Sequence, residues 1–274
     1  MGDGIINSAA APAPAAAASA QKKSRIWELD FIRGLCVALM IGDHFLYDLG
    51  FIFYGELQRH GHGLLWTLAE FARGFYWAHP LRLLGHFLVV GLFIAVCGIS
   101  CSFSRSNAAR GLKLLAVAAA LTLATWGMDL LSGYQDFFII RFGVLHMLSL
   151  SILLYAALQK LPPQLTAAIG LLLFAVGLYY FLQPPSTASL LLYCLLPAEG
   201  FYSADYFPLL PYCGLLLLGA AGGAKLYRRR VSLLPRAHGG RSFLWLGRHA
   251  LLAYILHQPL LYGLLLAIMI LFVR

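Results

Sequence analysis

The sequence predicts an all-α fold, a polytopic integral membrane helix bundle of about seven transmembrane helices, and three observations carry that reading. Hydrophobic residues make up 61% of the 274 positions and charged residues only 11%. A soluble domain carries about 25% charged residues, so this chain could not cover a soluble surface. Its apolar residues fall in runs of about 20, the length an α-helix needs to cross the hydrocarbon core. Basic residues then collect in alternate connecting loops, the pattern that orients such a bundle. The alternating apolar/polar signature of a β-barrel is absent, and helices satisfy their backbone groups within each segment.

Taken in order, residues 1–24 are Ala, Pro and Ser with few bulky side chains, a composition that predicts a disordered tail. The domain proper is expected over 25–274. Apolar spans are predicted near 31–53, 86–104, 112–131, 138–158, 165–182, 206–226 and 248–272. The segment 64–79 is too short and too charged to span. It reads as an interfacial helix with Trp66, Tyr76 and Trp77 at headgroup level.

Lys22, Lys23 and Arg25 precede the first span, Arg105, Arg110 and Lys113 follow the second, and Lys160 follows the fourth. Lys225, Arg228, Arg229, Arg230, Arg236, Arg241 and Arg248 lie between the sixth and seventh. The loops at 132–137 and 183–205 hold no Lys or Arg. This alternation predicts the N-terminus inside and the C-terminus outside, with the net charge of +9 serving orientation and not nucleic acid. Cys36, Cys97, Cys101 and Cys213 lie in apolar runs, where Cys behaves as a small hydrophobe. With Cys194 they form neither a disulfide framework nor a metal site.

Ionisable groups inside spans are costly and mark function. The first span holds Asp30, Arg33, Asp43, His44 and Asp48. On a helical wheel Asp30, Arg33, His44 and Asp48 fall within roughly 60° of one another, while Asp43 points away. Asp30 and Arg33 are spaced to pair. His44 lies about 16 Å further along, with Asp48 one turn beyond it, a spacing that predicts a carboxylate-oriented imidazole able to act as general base. Arg141 and His146 are expected at similar depth in the fourth span. Tyr254 and His257 share a face of the seventh, next to Pro259. His60, His62 and His79 read as surface histidines of the outer loop.

Four stretches together carry a family resemblance: RIWELDFIRGLCVALMIGDHFLYDL (25–49), IIRFGVLHMLSLSILL (139–154), DYFPLLPYCGLLLLGAAGG (205–223) and LGRHALLAYILHQPLL (246–261). In this order they resemble the bacterial branch of the heparan-α-glucosaminide N-acetyltransferase catalytic-domain family, a relative of wider membrane acyltransferase groups. The resemblance implies transfer of an acetyl group from cytosolic acetyl-CoA, as co-substrate, to a sugar-type acceptor bearing an amino or hydroxyl group. It implies a place in the bacterial cytoplasmic membrane and no metal.

The family's motif residues correspond to Asp30, Arg33, Gly34 and His44, then to Arg141 and His146, Pro208 and Pro211, and last to Gly247, Arg248, Tyr254 and His257. The animal lysosomal member carries Asn where this chain has His44. It also has eleven spans, against seven expected here. On this reading His44, Asp48, His146 and His257 are the catalytic candidates. Arg33, Arg105, Arg110, Arg228 and Arg248 are the candidates for holding CoA phosphates. Expected partners are membrane lipid and the small-molecule or glycan acceptor, in a monomer or a homo-oligomer. A transporter or flippase for a sugar or lipid-linked precursor, and a non-catalytic membrane subunit, are the competing readings; acetyl-CoA dependence separates them.

Overall fold

The computed structural model describes residues 25–60, 63–183, 194–196, 201–235 and 240–273. The tail 1–24, His62, Arg236 and the side chain of His60, each assigned an expectation above, lie outside that description. Among the described residues the chain is helical and has no strand. The helices are α1 Trp27–Tyr47, α2 Tyr54–His60, α3 Leu64–Phe71, α4 Pro80–Ser102 and α5 Asn107–Ser132. Then come α6 Val144–Leu158, α7 Pro163–Phe181, α8 Leu209–Leu226, α9 Arg241–Arg248 and α10 Ala250–Ile268. Six of these segments are long and apolar enough to cross a membrane: α1 with its extension to Ile52, α4, α5, α7, α8 and α10.

The remaining expected span, the fourth, corresponds to α6, an apolar helix of only 15 residues. At 1.5 Å per residue it is about 22 Å long, short of a full hydrocarbon core. It is also among the most buried helices: Val144, Leu145, Met147, Leu148, Ile152 and Tyr155 are all in the core. The expected span 138–158 is therefore corrected at its N-terminal end. Residues 138–143 are an irregular loop because the buried Asp129 carboxylate accepts the Phe138 and Ile139 N–H groups, at 2.7 and 3.1 Å, and Thr125 Oγ1 accepts that of Ile140 at 3.0 Å. Irregular backbone at depth is tolerated where protein groups satisfy it.

Helix starts follow local chemistry. Pro80 and Pro163 occupy first-turn positions, where the missing N–H costs nothing, and the His79 side chain accepts the Leu81 N–H at the start of α4. The expected interfacial segment is α3 followed by a π-helical turn, Ala72–Tyr76. Its aromatic residues have a more specific task than headgroup contact. Tyr76 donates to Asp43, and Trp77 lies under the Arg82 guanidinium, 3.4 Å from ring centroid to carbon.

Helix α8 is the hub, packed against α4, α6 and α7 with Leu216, Leu217 and Ala220 fully buried. Its backbone lies directly against α4, where Gly98 faces Leu216 O and Gly219 faces Ala95 O, each with no room for a Cβ. Such small-residue seams are how helices associate when lipid is as apolar as leucine. On the other side Pro211, in the first turn of α8 after Pro208 at its N-cap, packs against Gly177 of α7. The basic loop expected over 225–248 contains α9, a short helix the sequence reading missed. It crosses α1 where Gly247 meets Asp30 O and Gly34 meets Phe243 O.

Candidate functional site

The basic end of the bundle holds a cavity of about 420 Å³ lined by Arg25, Asp30, Arg33, Cys97, Ser100, Phe103, Ser104, Arg110 and Arg248. Four guanidiniums face it against one carboxylate. Arg33 donates to Asp30 Oδ1 at 3.1 Å, to Gly247 O at 3.2 Å and to Ser100 Oγ at 2.7 Å. Asp30 also draws Arg248 to 3.6 Å and Arg25 to 3.9 Å. The expected Asp30–Arg33 pair is thus the centre of a larger cluster that ties α1 to α4 and α9. The surplus of guanidinium over carboxylate suits a polyanion, since each fork can donate two parallel hydrogen bonds to a phosphate.

Of the arginines expected to hold phosphates, Arg33, Arg110 and Arg248 line this cavity. Arg105 and Arg228 are exposed residues outside its lining. Arg25 joins it unannounced, brought in because α1 begins at Trp27 and leaves Arg25 just before its first turn. Gly34 and Gly247 earn their motif positions here, because only residues without a Cβ allow α9 to lie on α1 and set Arg248 beside Asp30.

Further along α1, His44 faces His257 of α10 with ring centroids 4.8 Å apart and planes nearly perpendicular. No hydrogen bond or close ion pair joins His44 to Asp48, contrary to the expectation from their spacing. His44 Nδ1 instead lies 2.9 Å from Met40 O, one turn back in its own helix, and a π-helical turn begins at Asp48. Asp48 is fully buried and accepts from Gln258 Nε2 at 2.7 Å. His257 Nδ1 lies 2.6 Å from Tyr254 O. A carbonyl oxygen only accepts, so both imidazoles carry their proton on Nδ1 and present Nε2 as a lone pair. A ring fixed in this tautomer is a general base in form. Both rings reach that state through their own backbone, without a carboxylate.

His146 has the opposite arrangement. The Gly143 N–H donates to its Nδ1 at 3.3 Å, and Nε2 lies 3.4 Å from Thr122 Oγ1. Both nitrogens are engaged at the start of α6, where the ring caps the helix. Arg141 sits in the preceding loop, not in the span, held by Tyr202 O at 2.9 Å and Asp136 at 2.5 Å. Asp205, absent from the expected site, accepts the Val144 N–H at 2.9 Å and the Tyr254 hydroxyl. It thereby joins α6 to the same α10 turn that holds His257. The remaining span carboxylate, Asp43, takes a bidentate bond from Arg82 at 3.0 and 2.6 Å. Burial and the bond to Asp43 push the neighbouring Tyr76 phenol above its usual pKa. Among the described residues no three His, Cys, Asp or Glu side chains gather as a metal site.

The sequence stretches behind Asp205 and Gln258 are visible in the chain, but neither residue carries a spacing signal. Both matter because of what a distant helix brings to them. Comparison with known proteins gives one family: the profile described as heparan-alpha-glucosaminide N-acetyltransferase, catalytic, matches residues 25–259. Among curated proteins and among solved structures no match is found.

Proposed function

The chain belongs to the heparan-alpha-glucosaminide N-acetyltransferase catalytic family, and on that premise we propose that it moves an acetyl group from acetyl-CoA to a sugar-type acceptor. The CoA phosphates would be held in the arginine-lined cavity and the acceptor near His44 and His257. The observation that carries this reading is the cavity itself, lined by four guanidiniums, three of them drawn to Asp30 at the head of the α1 polar stripe. Acetyl-CoA is polyanionic and does not enter lipid unaided. A basic pocket at the end of the bundle gives its phosphates a site, and a polar stripe gives its thioester a way inward. On this reading the basic end faces the cytoplasm and the membrane is the bacterial cytoplasmic one.

In the transfer, the acceptor's amine or hydroxyl attacks the acetyl carbonyl carbon. The new C–N or C–O bond forms as the C–S bond breaks and CoA leaves as the thiolate. The proton lost by the acceptor passes to Nε2 of His44, the group left free by the Nδ1–Met40 bond. Catalysis by a positioned base of this kind contributes about 10²–10⁴-fold.

Calorimetry of the purified protein with acetyl-CoA at low salt tests the reading. Binding is expected, is expected to weaken as salt screens the phosphates, and is expected to fall in Arg33→Met and Arg248→Met. Absence of binding to the wild type removes the acetyltransferase and leaves the transporter reading in its place.

A further inference from the structure

The segment 226–234, which joins α8 to α9, takes no part in the arginine-lined cavity and has a surface of its own. We propose that it binds the headgroups of anionic phospholipids in the adjoining leaflet. Arg228, Arg229 and Arg230 hold the phosphates, and Leu226, Val231 and Leu233 cover the acyl boundary beside them. This surface is independent of the reaction proposed above.

The three arginines are exposed and lie outside the cavity lining. Among the described residues none of them makes an ion pair. Leu226 precedes them and Val231 and Leu233 follow, at 63, 50 and 53% exposure. Setting the orientation of a bundle requires the charges but not exposed aliphatic side chains interleaved with them. Basic and large apolar side chains on one short segment are the composition of a membrane-surface contact.

The segment is also built into the fold. Glu28 is buried, and its carboxylate accepts the Leu233 N–H at 2.7 Å and the Ser232 hydroxyl. Trp27 Nε1 donates to Leu234 O at 3.2 Å. The Arg230 N–H closes a turn on Tyr227 O at 2.8 Å. Arg230 itself has φ 54°, a left-handed conformation that a residue other than glycine keeps only where its surroundings impose it. These contacts fix the segment's depth. Helix α8 ends at Leu226 and α1 begins at Trp27, and both are long and apolar enough to span. The segment tied to both ends therefore lies where hydrocarbon gives way to headgroups.

The charges select the kind of lipid. A zwitterionic headgroup brings a cation with its phosphate, and 226–234 contains no Asp or Glu to receive it. The one carboxylate against the segment, Glu28, is spent on Ser232 and Leu233. An anionic headgroup brings only the charge that guanidinium forks match. Free phosphate would use the arginines and leave the aliphatic side chains uncovered.

Titration of the detergent-purified full-length protein with fluorescent phosphatidylglycerol and phosphatidylcholine, with inorganic phosphate as competitor, tests the proposal. Each basic side chain at an anionic lipid surface is worth about fivefold in affinity. Phosphatidylglycerol should therefore bind at least about tenfold more tightly than phosphatidylcholine, and phosphate at constant ionic strength should not displace it. The triple variant Arg228→Gln, Arg229→Gln, Arg230→Gln should weaken phosphatidylglycerol binding by on the order of a hundredfold and abolish the preference. Lys160 is an exposed basic residue at the same end of the bundle, beside the Gln159 that bonds Asn107, and Lys160→Gln should leave the preference unchanged. Equal binding of the two lipids, displacement by phosphate, a preference surviving the triple change, or its loss in Lys160→Gln would each overturn the proposal. The wild-type comparison decides even if the triple variant fails to fold.

Discussion

At the scale of single residues, the site depends on which atom of a side chain its own helix has already used. His44 and His257 each donate Nδ1–H to a carbonyl one turn back, so Nε2 is the atom left for chemistry. His146 differs in one contact: the Gly143 N–H occupies its Nδ1, and the ring serves the helix start. His44→Ala should therefore lose about 10²–10⁴-fold in transfer rate with acetyl-CoA binding intact. Rates per folded molecule, measured beside thermal melting, check this. Near-wild-type turnover in folded His44→Ala would move the base to His257. The spacing of His44 and Asp48 was visible in the sequence; the bonds that each side chain makes instead were not. Gln258 of α10 claims Asp48, and no pattern within α1 signals a partner 210 positions away.

At the scale of elements, α9 shows how a connecting segment becomes part of a site. Only eight residues long, it lies against α1 with Gly247 on Asp30 O and Gly34 on Phe243 O. That crossing holds Arg248 within 3.6 Å of Asp30 and gives Arg33 its bond to Gly247 O. Gly34→Val forces the two backbones apart, an overpacking cost of about 1–3 kcal/mol. The expected result is a lower melting temperature together with weaker acetyl-CoA binding. The surface change Arg105→Gln, outside the cavity, should move neither. Melting curves and calorimetry on the two variants side by side read this out, and unaltered CoA binding in folded Gly34→Val would detach α9 from the cavity.

At the scale of the whole molecule, helix directions agree with loop charge. Helices α1 and α10 run parallel, with His44 beside His257 and Asp48 beside Gln258. Helix α4 runs antiparallel to α1, with Arg33 meeting Ser100 at one end and Asp43 meeting Arg82 at the other. All four cavity arginines consequently stand at one end of the bundle. The proposed orientation, argued from the charge pattern, puts that end in the cytoplasm. Single cysteines introduced by Tyr134→Cys and Leu234→Cys in a chain without native Cys should label from outside and from inside, respectively. The opposite labelling of either position would invert the bundle and put the cavity out of reach of cytosolic acetyl-CoA.

What the sequence determined by itself is whatever depends on local periodicity and on the cost of placing groups in lipid. Apolar run length decided that the chain is a membrane helix bundle, and six of its helices meet the spanning criterion. The i, i+3 spacing decided that Asp30 and Arg33 pair, because both sit on one turn of one helix. Tertiary structure decided everything that depends on a second helix. The buried Asp129 carboxylate turned residues 138–143 from expected span into loop. Arg82 and Tyr76 took up Asp43, which the helical wheel had left without a role. Asp205 bound Tyr254 and the first turn of α6. In each case the reason is the same: a buried polar group must find a partner, and the partner comes from whichever helix packs beside it, not from the neighbouring residues in the chain.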